Sequence, residues 1–153
     1  MPKWAMILSG VVILGGLVIG YVGLEPGVTN EERIYRIISD MEQAANRRDF
    51  PALLQYIAQD YGDEAGQSRE DLKRLALQAG RGVEFLQVGV RVRGLVVSGK
   101  RATMQADLTV LEGTRPKPGN YTVNVTFERR GRRWLIVKAD GWQDAVHGDL
   151  GGE

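Results

Sequence analysis

Residues 86–140 read LQVGVRVRGLVVSGKRATMQADLTVLEGTRPKPGNYTVNVTFERRGRRWLIVKAD, and this stretch decides the fold. Leu86, Val88, Val90 and Val92 alternate with Gln87, Gly89, Arg91 and Arg93. Ala102, Met104, Ala106, Leu108 and Val110 alternate with Thr103, Gln105, Asp107 and Thr109. Tyr121, Val123, Val125 and Phe127 alternate with Thr122, Asn124, Thr126 and Glu128. A period of two puts the apolar residues of each segment on one face, as in a half-buried strand. Ser98-Gly99-Lys100 and Arg130-Gly131-Arg132 have the composition of tight turns, and Gly113 to Gly119 is a Pro-containing loop. Trp134 to Asp140 forms a last strand. Its Leu135-Ile136-Val137 centre is apolar on both faces, which suits an interior position in the sheet. Four strands joined largely by hairpins make an antiparallel sheet with one buried face.

Upstream the period is 3.6. Thr29 with Glu32 three residues on is a capping box, and Ile34, Ile37, Ile38, Met41 and Ala45 follow at helical spacing to about Arg48. Asp49 caps a second, short helix with Pro51 in its first turn and Leu53, Leu54 and Ile57 on one face. Asp60 to Gly66 is a polar loop. Ser68 then caps a third helix that carries Leu72, Leu75, Ala76 and Ala79. Helices come first and strands afterwards, and the helices must cover the sheet's apolar face, so the fold class is α+β.

The rest of the composition bounds the chemistry. The chain has 153 residues, 20 basic and 19 acidic side chains, one His and no Cys. Absence of Cys excludes disulfides, Cys-ligated zinc, iron–sulfur clusters and thiol catalysis. A lone His, His147, excludes a multi-His metal site and a Ser-His-Asp constellation. Asp60, Asp63 and Glu64 lack the ligand set of a Ca²⁺ loop. No metal and no cofactor is expected. Trp4 to Leu24 carries no charge and, at about 1.5 Å per residue, is long enough to cross a bilayer core. The run ends in Val22-Gly23-Leu24-Glu25-Pro26, a poor cleavage site, so it reads as an uncleaved anchor rather than a signal peptide. Gly16 and Gly20 are spaced for close approach of two helices. Lys3 precedes the run, and Glu25, Glu31 and Glu32 follow it. That asymmetry puts the N-terminus in the cytoplasm and the bulk of the chain beyond the cytoplasmic (inner) membrane, as a single-pass protein with a periplasmic or extracytoplasmic domain. The expected organisation is a transmembrane anchor over 1–24, a linker over 25–30, one domain over 31–142 and a flexible tail over 143–153. Residues 1–24 hold one Lys and no acid, so the domain is electrically balanced, which gives no reason to expect nucleic acid as a partner.

The order of Ala44-Ala45-Asn46-Arg47-Arg48-Asp49-Phe50, Leu53-Leu54-Gln55-Tyr56-Ile57, Asp60-Tyr61-Gly62-Asp63-Glu64 and Arg133-Trp134-Leu135-Ile136-Val137 resembles a nuclear transport factor 2-like (SnoaL-like) domain over residues 31–142. The resemblance implies three helices in the concave side of a strongly curved sheet, a cone that holds a pocket in some relatives, and dimerisation through the sheet face. It implies no single activity, since relatives include isomerases, dehydratases, cyclases, transport adaptors and secretion scaffolds. A span followed by such a domain is similar in architecture to inner-membrane scaffold subunits of type IV secretion.

Enzymes of the resembled family place acid or base groups inside the cone. The inward strand positions here are almost wholly apolar. Where isomerase-like relatives carry a tyrosine on the first helix, counting back from Asp49 lands on Met41. Asp63 lies near the place of a base aspartate in such relatives, and Tyr61 or Tyr121 would be its partner. Those three are the candidate catalytic residues. The alternative for Asp60 and Asp63 is loop stabilisation through side-chain-to-backbone bonds. A pocket in the cone would be lined by Ile38 and Met41 of the first helix, by Val88, Val90, Met104, Leu108 and Val123 of the strands, and by Tyr121, Phe127 and Trp134. Basic residues cluster at turns: Lys100-Arg101, Arg115 with Lys117, Arg129-Arg130 and Arg132-Arg133. They read as solubility and edge protection, with contact to anionic head groups or an acidic partner as the alternative. The first expectation is thus a non-enzymatic, membrane-tethered interaction or scaffold domain of the cell envelope. Its partners would be the bilayer through residues 4–24, a second copy through the sheet face, and an envelope protein. The alternative is a tethered binder of a small apolar or lipid-like ligand, and an acid–base enzyme comes third. Scaffolding expects a filled cone and ligand binding a hollow one.

Overall fold

The structure, a computed structural model, describes residues 27–82, 86–113 and 117–142. The apolar run 4–24 with Lys3 and the Gly16/Gly20 pair, the first residues of the linker, Arg115 and the tail 143–153 with His147 lie outside the described residues. Among the described residues no helix is long and apolar enough to cross a membrane.

Helix α1 spans Asn30–Asn46 and starts as its capping box requires: Glu32 N–H donates to the Thr29 hydroxyl and Thr29 N–H to the Glu32 carboxylate, each at 3.2 Å. It ends in a Schellman turn. Arg48 takes φ +58, its N–H donates to the Ala45 carbonyl, and Asp49 N–H donates to Ala44. Asp49 then caps α2, Phe50–Leu54, by accepting from Ala52 N–H at 3.3 Å. Helix α3, Arg69–Gly82, opens on a reciprocal Ser68–Asp71 cap, with Asp71 N–H donating to the Ser68 hydroxyl and Ser68 N–H to the Asp71 carboxylate.

Strands β1 (Leu86–Ser98), β2 (Arg101–Glu112), β3 (Gly119–Arg130) and β4 (Arg133–Asp140) form one antiparallel sheet in the order β1-β2-β3-β4. Two bulges curve it. One skips Arg93 between Val92 and Gly94, which returns Leu95 and Val97 to the inner face opposite Met104 and Ala102. The other skips Val137, so that Ile136 faces Phe127 and Ala139 faces Val125 on the same side. The core is the inner-face set Ala102, Met104, Ala106, Val123, Val125, Phe127, Trp134 and Ile136, closed by Ile34 and Tyr61.

The expected interior position of β4 is corrected here, because β4 stands last in the sheet order. Its edge is nevertheless paired. Ala58 N–H donates to Ile136 C=O at 2.9 Å, Ile136 N–H to Tyr56 C=O at 2.8 Å and Gly62 N–H to Val137 C=O at 3.2 Å. The chain after α2 thus runs beside β4 with parallel pairing at Ile57–Ile136, and it covers the apolar strand without being a full strand of the sheet. The other edge is met by side chains of α1. The Asn46 amide donates to Val88 C=O at 3.0 Å and accepts from Val88 N–H at 2.6 Å, and the Glu42 carboxylate accepts from Val90 N–H at 2.9 Å.

Two glycines separate dihedral strain from contact. Gly66 has φ +73 with open space around it, whereas Gly141 has φ +93 and a Cβ there would overlap the Thr122 carbonyl oxygen. Gly66→Ala should cost about 1 kcal/mol from the left-handed conformation alone. Gly141→Ala should cost more than about 2 kcal/mol, since strain and overlap add. Urea unfolding of the two variants measures the difference.

Candidate functional site: an apolar cavity in the cone

Ile38, Met41 and Ala45 recur at helical spacing on the face of α1 that looks into the sheet. Leu53 of α2, Ile57 and Tyr61 of the segment along β4, and Leu72 of α3 complete the helical side. The sheet contributes Val88 and Val90, Met104, Ala106 and Leu108, Val123 and Val125, and Ile136 and Ala139, with Trp142 just beyond β4. These side chains do not meet in the middle. They leave between them a half-open cavity of about 280 Å³.

Of the described residues that line it, Tyr61 and Trp142 alone carry an N–H or O–H on the side chain, and both point it at the Ala139 carbonyl, at 3.1 and 2.9 Å. The Tyr61 hydroxyl also lies 3.0 Å from Asp63 Oδ2. Burial of the phenol, reinforced by its hydrogen bond to Asp63, raises the Tyr61 pKa well above its ordinary value. Tyr61 is therefore a neutral donor at any physiological pH. Asp63 faces the loop with its other oxygen, accepting from Gln67 N–H at 2.9 Å. The remaining loop acids are turned elsewhere. Arg130 grips the Asp60 carboxylate at 2.6 and 2.8 Å and holds its pKa below the usual range. Lys138 bridges Glu64 and Asp140 at 3.3 Å each. Among the described residues no group of three potential ligands is placed to hold a metal ion.

Ile38, Met41, Val88, Val90, Met104, Leu108 and Val123 stand on the cavity wall, as does Tyr61. Three residues expected there do not. Phe127 and Trp134 fill the narrow end of the cone with Ile34, where the Trp134 indole N–H donates to Asn30 Oδ1 at 3.3 Å. Tyr121 lies back along its own strand, its hydroxyl in the space that a side chain on Gly119 would take. Alternation gives the inward face of Phe127 and Trp134 but not their depth along the cone. The wall residues that reasoning from the strands missed come from outside the strands: Leu53, Ile57 and Leu72, whose helical periodicity marked them as buried, and Trp142, which only the turn at Gly141 brings inward. A larger, more open hollow of about 410 Å³ runs along α3 past Gln67, Asp71 and Arg74. Its Asp71 is already engaged by Ser68 and Arg74, so the cone interior is the stronger candidate.

No family model matches the chain, and no curated protein matches it in sequence. Solved structures do. An NTF2-like protein with a cystatin-like fold from Novosphingobium aromaticivorans matches with a TM-score of 0.61 at 20% identity, covering 72% of this chain and 79% of that one. A proposed dehydratase of the NTF2-like family from Streptomyces avermitilis matches with a TM-score of 0.62 at 15% identity, covering 72% and 93%. The fold is the NTF2-like, cystatin-like cone. Bd1075 of Bdellovibrio bacteriovorus matches with a TM-score of 0.64 at 9% identity over 74% of this chain, but the match spans 42% of Bd1075. At these identities the likeness carries the fold alone.

Tyr61→Phe should cost about 1 kcal/mol near neutrality, the net value of one buried hydrogen bond. That advantage shrinks at high pH. The folded-state pKa lies above the unfolded value of about 10, so Tyr61 lowers stability as pH rises past that value, and the phenylalanine variant is spared this loss. Urea unfolding at pH 7 and pH 11 should show the gap between the two proteins narrowing.

Proposed function

We propose that this chain is a membrane-tethered, non-enzymatic binding module whose cone takes up a small apolar or lipid-like ligand. The cavity carries the reading. About 280 Å³ walled by Val, Leu, Ile, Met and Ala suits an apolar body, because the two polar side-chain groups among its described lining residues are satisfied within the protein. An engineered apolar cavity of about 150 Å³ stays dry and binds benzene, so this one suits a ligand of about two fused rings or a short acyl chain. Binding is favoured over acid–base catalysis because the Tyr61 hydroxyl is engaged by Asp63 and the Ala139 carbonyl, and Asp63 by Gln67 and Tyr61, which leaves neither group free for a substrate.

Scaffolding through the sheet face has less support. The convex face is a polar lattice: Arg93 pairs with Asp107 at 2.6 Å, Thr122 with Asp107 at 3.2 Å, Thr109 with Asn120 at 3.1 Å and Gln105 with Asn124 at 3.4 Å. A homodimer interface is usually apolar at its centre. Tethering rests on the uncharged run Trp4–Leu24 and on Lys3 before it, which favour an anchor with the domain outside the cytoplasmic membrane.

The chain has four Met, and Met41 and Met104 line the cavity. In the full chain, carried in nanodiscs with ¹³C-methyl methionine, titration with naphthalene should shift the Met41 and Met104 methyl signals together and saturably. Ala106→Phe fills the wall and should abolish those shifts; Val90→Phe serves if that variant does not fold. Unmoved Met41 and Met104 signals in the folded wild type would overturn the reading.

A further inference from the structure

Two hairpin turns and the start of α1 meet at the narrow end of the cone. The β1–β2 turn holds Gly99, and the β3–β4 turn holds Gly131, at φ +60 and +65. The turns are joined: Arg101 pairs with Glu128, and Arg129 N–H donates to Lys100 C=O at 2.7 Å. Trp134, next to the second turn, reaches Asn30, the first residue of α1. The chain that leads back to Leu24 therefore leaves the domain beside both turns. Residues 25–30 span at most about 20 Å, at about 3.5 Å each.

Lys100, Arg101, Arg129, Arg130, Arg132 and Arg133 all lie at this end. Two are engaged locally: Arg130 with Asp60 and Glu128, and Arg133 with the Gln55 carbonyl at 2.8 Å. The buried Nε of Arg129 has no partner among the described residues. Lys100, Arg101 and Arg132 are exposed, and no carboxylate among the described residues pairs with them. The nearby acids Glu31 and Glu32 belong to the first turn of α1, where Glu32 is held by its capping box. The cavity wall, by contrast, draws on the other end of the cone, through Val88, Leu108, Val123 and Ala139.

Building on the tether proposed above, we infer that the two basic hairpin turns form a docking surface for the anionic lipid head groups of the bilayer that residues 4–24 enter. Docked in this way, the cone stands tip-down, with its cavity end turned toward water. Charge complementarity and the short reach of the linker select the bilayer as the occupant, because each basic residue at an anionic surface strengthens contact about fivefold.

The absence of Cys lets a single introduced thiol carry a polarity-sensitive fluorophore. The full chain with Ser98→Cys, beside the first turn, is reconstituted in vesicles of phosphatidylcholine alone or with phosphatidylglycerol. The label should shift to the blue in the anionic vesicles only, and 0.5 M salt should reverse the shift. Lys100→Gln, Arg101→Gln and Arg132→Gln together should lower the docked-to-free ratio about 100-fold, with an unchanged far-UV spectrum. A label at Lys117→Cys, at the opposite end, should not shift. An unshifted Ser98→Cys label, an equal shift in neutral vesicles, or a shift at Lys117→Cys overturns the docking. The tether is read separately. Loss of the chain from neutral vesicles in alkaline carbonate overturns the anchor, while salt-sensitive flotation with anionic vesicles would still sustain the docking.

Discussion

A four-stranded open sheet leaves two rows of unpaired N–H and C=O groups, and the closing of these two edges organises everything else in this domain. At β4 the main chain from Tyr56 to Gly62 supplies the missing partners. At β1 the side chains of Asn46 and Glu42 do so at Val88 and Val90. The helical layer is thus fastened along both rims of a curved sheet by polar contacts of defined geometry. Its height over the sheet is set at the rims, so the apolar side chains between them need not touch. Arg69 adds to the fastening by donating to the carbonyls of Ile57 and Leu54 at 3.2 and 3.1 Å, which fixes the chain leaving α2 against the start of α3.

A hollow held open in this way has a cost. Apolar side chains that face a hollow forgo the contacts a filled core would give them. The narrow end offsets it, since Phe127, Trp134 and Ile34 are packed there with almost no exposure. The division of labour follows the cone axis: aromatic packing at the tip supports the fold, and small and branched residues at the wide end leave room.

Much of this was legible in the sequence. The three caps, the turns at Gly99 and Gly131 and the inner faces of the strands all follow from local rules, because each depends on residues within a few positions of one another. What escaped depends on longer range. Arg93 and Val137 look like ordinary members of their alternating runs, yet they are the skipped residues that curve the sheet. The edge of Leu135-Ile136-Val137 is paired by residues 56–62 and not by a further strand, and the sequence of β4 alone does not distinguish that cover from a neighbouring strand. Tyr121 has the parity of an inward residue, but the missing side chain at Gly119 lets its ring fold along the strand. The apolar wall of the site was readable from alternation; its void was not, since volume depends on how far the rims hold the layers apart.

The segment that closes the β4 edge also bears Tyr61, whose hydroxyl lies at the cavity among the described residues. From Tyr56 to Gly62 its hold on β4 is made by backbone hydrogen bonds. Beyond Gly62 the attachment passes to side chains: Glu64 N–H to Asp140 at 3.0 Å, Lys138 between Glu64 and Asp140, and Asp63 on Tyr61. Exposed ion pairs of this kind contribute at most about 1 kcal/mol each, so this side-chain attachment is weaker than the backbone pairing before it. Tyr61 and Trp142, both bonded to the Ala139 carbonyl, stand at that boundary between firm and loose attachment.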